Sequence, residues 1–369
     1  MAPCPDFSGQ EKQFARAFAL IRAGIAQRAF PAAALAVTHG GALVASQGFG
    51  RFTYEDDAPQ VRADTIFDLA SLTKVMATTA VAMVLYDRGK LTLDEPVART
   101  LPEFVSLAPV QQRAWREAVT IRMLLAHSSG LPAYERLFES ASTREELVHA
   151  AMKTPSVAAP GERAVYSDIG FILLGELLAL KTALRLDVVA RQEIFAPLGM
   201  RRSGFHPPRD WAAEIPPTED DRTFRCRVVQ GEVNDENAYV MGGVAGHAGV
   251  FAPATEVARF AECMLCGGWP IMKPETVKGF TRRETSPPDT TRALGWDTPS
   301  RPESSSGRRF SDGSFGHLGF TGTSLWIDPL RKLTVTLLTN RTWPDRNSQA
   351  IREVRPMVHD AIVEAIEER

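Results

Sequence analysis

Apolar positions recur at helical spacing over residues 11–28, then change to two strand-like runs, 32–38 and 42–49, around the turn His39-Gly40-Gly41. The other end of the chain has the same parts. Residues 323–327 and 333–339 read as strands around Asp328-Pro329, and a closing helix covers 348–367. Strands near both termini with helices outside them predict one antiparallel sheet assembled from the two chain ends, an α/β fold of the α+β type with flanking helices. Between them, helical patterns over 75–87 (stopped by Gly89), 121–126, 144–152, 170–180, 186–195 and 255–266 predict a mostly helical inserted lobe. Two Pro-rich, polar segments, 206–237 and 282–313, interrupt that lobe, and long loops of this kind commonly wall or cover a site. The expected organisation is a single unit over 1–369, with an α/β lobe from 1–70 and 290–369 and a mainly helical lobe from 71–289.

A chain of 369 residues can bury a large core. Its net charge of −2 gives no electrostatic reason to expect nucleic acid or an anionic membrane as partner. No apolar run approaches the roughly 18 residues of a membrane span. Residues 1–30 lack a compact apolar stretch after basic residues, so no signal peptide is read and a cytoplasmic location is expected, or a periplasmic one if the chain is a mature form. Four cysteines are too few for a disulfide framework. Cys263 and Cys266 form a C-x-x-C without a second pair, inside a helical pattern, where cysteine acts as a small hydrophobe. With scattered histidines and no H-E-x-x-H, neither a metal nor a cofactor is expected. The glycines of 242–249 do not form G-x-G-x-x-G, which argues against a nucleotide. The partner expected is a small-molecule substrate.

Three separated motifs supply chemistry. In Ser71-Leu72-Thr73-Lys74 the Ser and Lys are three apart and share one face of a helix. In the first turn the Ser71 N–H is unpaired and free to hold an oxyanion. Burial of Lys74 lowers its pKa, so that a neutral amine can take the Ser proton. Tyr166-Ser167-Asp168 offers a proton relay, with Asp168 as a cap for the following helix or as a partner that holds Lys74 and raises its pKa. Gly316-His317-Leu318-Gly319-Phe320-Thr321-Gly322 offers a strand edge. A nucleophile, a base, a relay and an oxyanion edge together make an acyl-transfer apparatus.

The block Phe67-Asp68-Leu69-Ala70-Ser71-Leu72-Thr73-Lys74 is similar to the nucleophile motif of the class C β-lactamase superfamily, which includes low-molecular-mass penicillin-binding proteins and esterases. Val119-Thr120-Ile121-Arg122-Met123-Leu124-Leu125-Ala126-His127-Ser128-Ser129-Gly130-Leu131-Pro132 resembles that family's structural signature, with His127 and Ser128 packing the lobe outside the site. Tyr166-Ser167-Asp168 resembles its Y-x-N loop, and the 316–322 block resembles its K-T-G strand with His317 in the Lys position. Asn234-Asp235-Glu236-Asn237-Ala238, with the glycine-rich 242–251 segment, looks like the end of the cleft wall, where His247 faces the pocket or caps a turn.

The resemblance implies a β-lactamase/transpeptidase-like fold and a serine hydrolase with Ser71 as nucleophile, Lys74 and Tyr166 sharing acid and base duty, and the Ser71 and Phe320 N–H groups holding the oxyanion. Asp168, His317, Gly319 and His247 would contact substrate, the attraction of His317 for a carboxylate varying with pH. Asp168 departs from the family's Asn: an ionised Asp cannot donate to an acyl amide, and with His317 it argues against an efficient β-lactamase. A small ester or a D-amino-acid amide or peptide is the expected substrate. A penicillin-binding D,D-carboxypeptidase-like protein, a weak β-lactamase and a non-catalytic binding protein on the same fold stand as alternatives.

Overall fold

The computed structural model describes residue 7 and residues 9–368; Cys4 lies outside them. Its main sheet is antiparallel, with strands in the spatial order Ala42–Gly50, Ala32–His39, Leu333–Thr339, Ser324–Asp328, Phe315–Leu318. The two ends of the chain meet at its centre, where Leu35 lies opposite Leu337 and Val37 opposite Val335. Alternation explains the layers. Ala33, Leu35, Val37, Val335 and Leu337 pack with Phe18 and Ile21 of the helix Ala15–Ala26 and with Val358 and Ile362 of the helix Ile351–Glu367. Ala32, Ala34, Ala36 and Leu338 turn to the larger core, which includes Val257, Phe260 and Ala261 of the helix Ala254–Leu265. A strand covered on both faces reads as a continuous apolar run, and this is why residues 32–37 show no polar alternation.

The helical part is organised around Asp168–Thr182, whose residues Ile169–Gly175 are all buried. A helix that is apolar all round belongs in a core. Helices Ile121–Leu125 and Arg144–Lys153 pack on it. The stretch expected as one helix over 75–87 is composite, a π-helical turn Lys74–Thr79 and an α-helix Ala80–Asp87, and a 3₁₀ turn Ala70–Leu72 precedes it. The inserted region also contains strands that the periodicity did not predict. Val250–Pro253 and Gly204–Phe205 form a small sheet with Ile66–Asp68, which precedes that region, and Glu219–Asp221 pairs with Arg227–Val229 inside the segment expected to be irregular. Strands of two to four residues are too short to show a period of two. Cys263, expected as a small hydrophobe, is buried on the helix Ala254–Leu265, and burial pushes its thiol up to about 12. Among the described residues no helix is long and apolar enough to cross a membrane.

Candidate active site

Ser71 stands where the chain leaves the strand Ile66–Asp68. Just before it, Ala70 holds φ at +47°, uncommon for a residue with a Cβ. Its surroundings hold it there. Asp68 accepts from the Ala70 N–H through Oδ1 (2.8 Å) and from the Asn234 N–H through Oδ2 (2.7 Å). The hydroxyls of Thr321 and Thr323 donate to the carbonyls of Asp68 and Leu69 at 2.8 and 3.0 Å, which ties the main-sheet edge to the same turn. Burial pushes Asp68 up to about 6, against the two N–H groups that favour its ionised form.

The turn places Lys74 Nζ 2.9 Å from Ser71 Oγ. Lys74 is completely buried, donates to the His247 carbonyl (3.1 Å) and pairs with Asp168 Oδ1 at 2.6 Å. The Tyr166 hydroxyl faces both Ser71 and Lys74, and Nζ lies 4.9 Å from the centre of its ring. Burial acts to lower the Lys74 pKa, but Asp168 and Tyr166 together carry it above the ordinary amine value. Of the two directions expected, lowering by burial and raising by Asp168, the second prevails, and Lys74 is held toward its ammonium form beside a carboxylate. The helix cap expected of Asp168 is instead Ser167, whose Oγ accepts from the Gly170 N–H at 3.0 Å, leaving Asp168 to face Lys74. Burial raises the Tyr166 pKa, with Lys74 opposing, so the hydroxyl keeps its proton.

His317 is buried on the strand Phe315–Leu318, its ring centre 5.8 Å from that of Tyr166. Its Nδ1 donates to the Leu318 carbonyl at 2.8 Å, which leaves Nε2 as an acceptor with no partner among the described residues. Burial foremost, then the nearby Lys74 and Arg292, pushes it down to about 3. A pH-dependent cationic hold on a carboxylate is therefore corrected to a neutral acceptor. A Cβ on Gly319 would lie 2.0 Å from Thr323 Oγ1 and 2.5 Å from the Leu69 carbonyl oxygen, so glycine is needed for the approach of the chain to the turn that carries Ser71. Neither the Ser71 nor the Phe320 N–H donates to another main-chain group among the described residues, and both residues line the same cavity.

The side chain of His247 does not line the cavity. It is buried with Nε2 2.7 Å from Asp235 Oδ1, and only its carbonyl reaches the site, at Lys74. Burial would raise Asp235, yet His247 and the Ala238 N–H hold it down at about 2. The expected substrate contact from His247 is thus a correction as well: its ring supports the wall. The glycines beside it have a packing reason, since a Cβ on Gly246 would lie 2.0 Å from the Phe171 carbonyl oxygen.

Sequence reasoning missed several groups. His127 was placed outside the site, but its Nδ1 accepts from the Ser167 N–H (2.9 Å) and its ring lies 4.6 Å from Tyr166 and 5.0 Å from Phe171. It positions the Tyr166 loop. Arg292 pairs with Asp297 and sits 5.2 Å from the Tyr166 ring centre, supplying a cation beside His317. Only the composition of its loop was visible in the sequence. Arg292 lines, with Ser71, Tyr166, Asp168 and His317, a cavity of about 920 Å³ that also contains Tyr134, Asp235 and Phe320.

This fold and this cluster define a serine hydrolase: the chain belongs to the β-lactamase family, whose model, described as "Beta-lactamase", matches residues 17–355. A protein of Salmonella agona (strain SL483) named "Putative D-alanyl-D-alanine carboxypeptidase" is 33% identical over 307 residues, covering 75% of this chain and 70% of that protein. Among solved structures, "EstCE1, a hydrolase with promiscuous acyltransferase activity" is 22% identical with a TM-score of 0.78, covering 96% of this chain and all of that one. The octameric penicillin-binding protein homologue from Pyrococcus abyssi is 22% identical with a TM-score of 0.71, covering 91% and 76%. At that identity these two share the fold.

Proposed function

We propose that the protein transfers acyl groups to water through an acyl-enzyme on Ser71, acting on a small ester or a D-amino-acid amide. The observation that carries this reading is the 2.9 Å contact between Ser71 Oγ and a buried Lys74, with the Tyr166 hydroxyl alongside. The reaction needs Lys74 as the amine, so the ammonium must first lose its proton. The Ser71 proton then passes to Nζ as Oγ bonds to the substrate carbonyl carbon. The oxyanion lies between the N–H groups of Ser71 and Phe320; removing one such donor typically costs on the order of a hundred- to a thousandfold in rate. The bond to the leaving group breaks as Tyr166 gives it a proton, and Lys74 restores that proton. Water attacks the ester on Ser71 by the same route in reverse and releases the acid.

Asp168 holds Lys74, and neutral His317 accepts a hydrogen bond from a substrate donor. The lobes 1–70 with 290–369 and 71–289 belong to the same proposal, as the two sides of the cleft. A D,D-carboxypeptidase is the second reading, favoured by Arg292, a guanidinium in the cavity lining beside Tyr166 that would attract a leaving amino acid's carboxylate, and by the name of the Salmonella relative. Comparing turnover of p-nitrophenyl acetate with release of D-alanine from a D-alanyl-D-alanine peptide, in wild type and Ser71→Ala, separates the two. Equal activity of the two proteins on both substrates refutes the proposal.

A further inference from the structure

The cavity that holds Ser71 also holds Arg341, Arg352 and Arg355. Arg352 and Arg355 are three apart on the helix Ile351–Glu367 and share a face. Arg341 follows the strand Leu333–Thr339, and its guanidinium carbon lies 4.4 Å from the Phe320 ring centre. Arg341 and Arg355 are only 6% and 4% exposed. None of the three has a carboxylate partner among the described residues. Of the acidic groups lining the cavity beside them, Glu219 and Glu236 pair with Arg346 and Asp220 with Arg222, while Asp345 accepts from the Asn347 N–H at 2.9 Å and forms no ion pair among the described residues.

Main-chain oxygens satisfy part of the cluster. Arg341 donates from Nε to the Phe320 carbonyl (2.7 Å) and from Nη1 to the carbonyls of Arg346 and Ser348 (3.1 and 3.0 Å). Arg355 donates from Nη2 to the Gly322 carbonyl at 2.9 Å, but its buried Nε has no partner. Burial and the mutual repulsion of these cations push both Arg341 and Arg355 down to about 10. Buried cations without counter-charge are costly to keep. Guanidinium forks match tetrahedral oxyanions in both charge and geometry.

From this geometry we infer that Arg341, Arg352 and Arg355 form an oxyanion subsite for a phosphate-like group on the part of the substrate remote from the scissile carbonyl. The placing of that group on a substrate rests on the acyl-transfer reading; the subsite itself does not. The substrate class becomes an ester or amide with a compact, multiply charged anionic end.

Calorimetric titration with inorganic phosphate, at an ionic strength fixed with chloride, tests the subsite without turnover. Wild type and Ser71→Ala bind phosphate saturably and alike, while Arg352→Gln and Arg355→Gln each weaken it about tenfold or more, the effect of losing a hydrogen bond to a charged group. Arg352 is exposed, so its variant decides the matter even if Arg355→Gln does not fold. Absence of saturable binding to wild type, or unchanged affinity in Arg352→Gln, overturns the subsite. An enzyme that hydrolyses esters through Ser71 yet ignores phosphate contradicts the subsite alone. One that binds phosphate but never acylates Ser71 contradicts the acyl-transfer reading alone.

Discussion

Replacing Asp168 with Asn probes the proton balance at the centre of the site. Its carboxylate lies 2.6 Å from a fully buried Nζ. At an effective dielectric constant of about 20, that separation corresponds to about 6 kcal/mol of attraction between the charges. Asn removes the charge but keeps an oxygen that can accept from Nζ. About 1.4 kcal/mol moves a titration by one pH unit. If only a quarter of the attraction is lost after water and side chains adjust, deprotonation of Lys74 still moves by about one pH unit. The direction follows from the ion pair: Asp168 raises the Lys74 pKa, so removing its charge lowers it. The amine is the reactive form, so Lys74 sets the acid limb of the kcat/KM profile and Tyr166 the alkaline limb. Because the wild-type limb lies above the ordinary amine value, a downward displacement of about one unit or more in Asp168→Asn is read as kcat/KM for p-nitrophenyl acetate about tenfold or more above wild type at each pH from roughly pH 7 to pH 10. An unmoved limb, or one moved upward, would refute the assignment of Lys74 as base and Asp168 as the group that holds it charged.

Four further outcomes follow from the same geometry. Gly319→Ala forces a Cβ to 2.0 Å from Thr323 Oγ1, so a loss of about 1–3 kcal/mol in denaturant unfolding is expected together with lost turnover; wild-type stability would contradict the close approach. His127→Ala removes the acceptor of the Ser167 N–H and the ring behind Tyr166, so kcat should fall with KM little changed, and a change confined to KM would count against a positioning role. His359 is buried and pushed down to about 3, so the unfolded chain takes up its proton first as pH falls below about 6.5 and stability is lost there; His359→Gln should flatten that loss by about 1.4 kcal/mol per pH unit between about pH 6 and pH 4, as read from urea melts. Asp68 behaves oppositely: raised to about 6, it gives stability below its unfolded value that disappears as pH rises through about 6, and Asp68→Ala, which abandons the N–H groups of Ala70 and Asn234, should lower the melting temperature at every pH tested.

The parts of this molecule legible in its sequence are those fixed by local spacing. Ser71 and Lys74 share a turn, so three residues of separation were enough to predict their contact. Residues 32–37 are apolar because both faces are covered, and Leu333, Val335 and Leu337 alternate with buried threonines on the neighbouring strand; these runs were enough to predict one sheet built from the two chain ends. The strand Phe315–Leu318, which carries His317, was marked by its flanking glycines. Less legible was whatever depends on burial or on distant neighbours. The charge of Lys74 is decided by Asp168, 94 residues on, and by burial that opposes it. His317 has the residue type of a pH-sensitive cation, but a covered ring that donates to the Leu318 carbonyl is a neutral acceptor. His247 and Asp235 are twelve residues apart, and nothing local indicates that the ring is buried against the carboxylate. The arginines at 292, 341, 352 and 355 belong to no spacing motif and converge only when the strand ends and the last helix are folded around the cleft.

In the proposed reaction Ser71 carries the acyl group, and intact-protein mass detects that group on the protein itself. Wild type and Ser71→Ala are each mixed with benzylpenicillin and, in parallel, with p-nitrophenyl acetate, then quenched from milliseconds to minutes afterwards. An acyl adduct is expected on wild type with at least one of the two reagents and none on Ser71→Ala. A persistent penicilloyl adduct points to a penicillin-binding protein, and a short-lived acetyl adduct alone points to an esterase. An adduct of equal yield on Ser71→Ala, or wild-type ester turnover by that variant, would contradict the account.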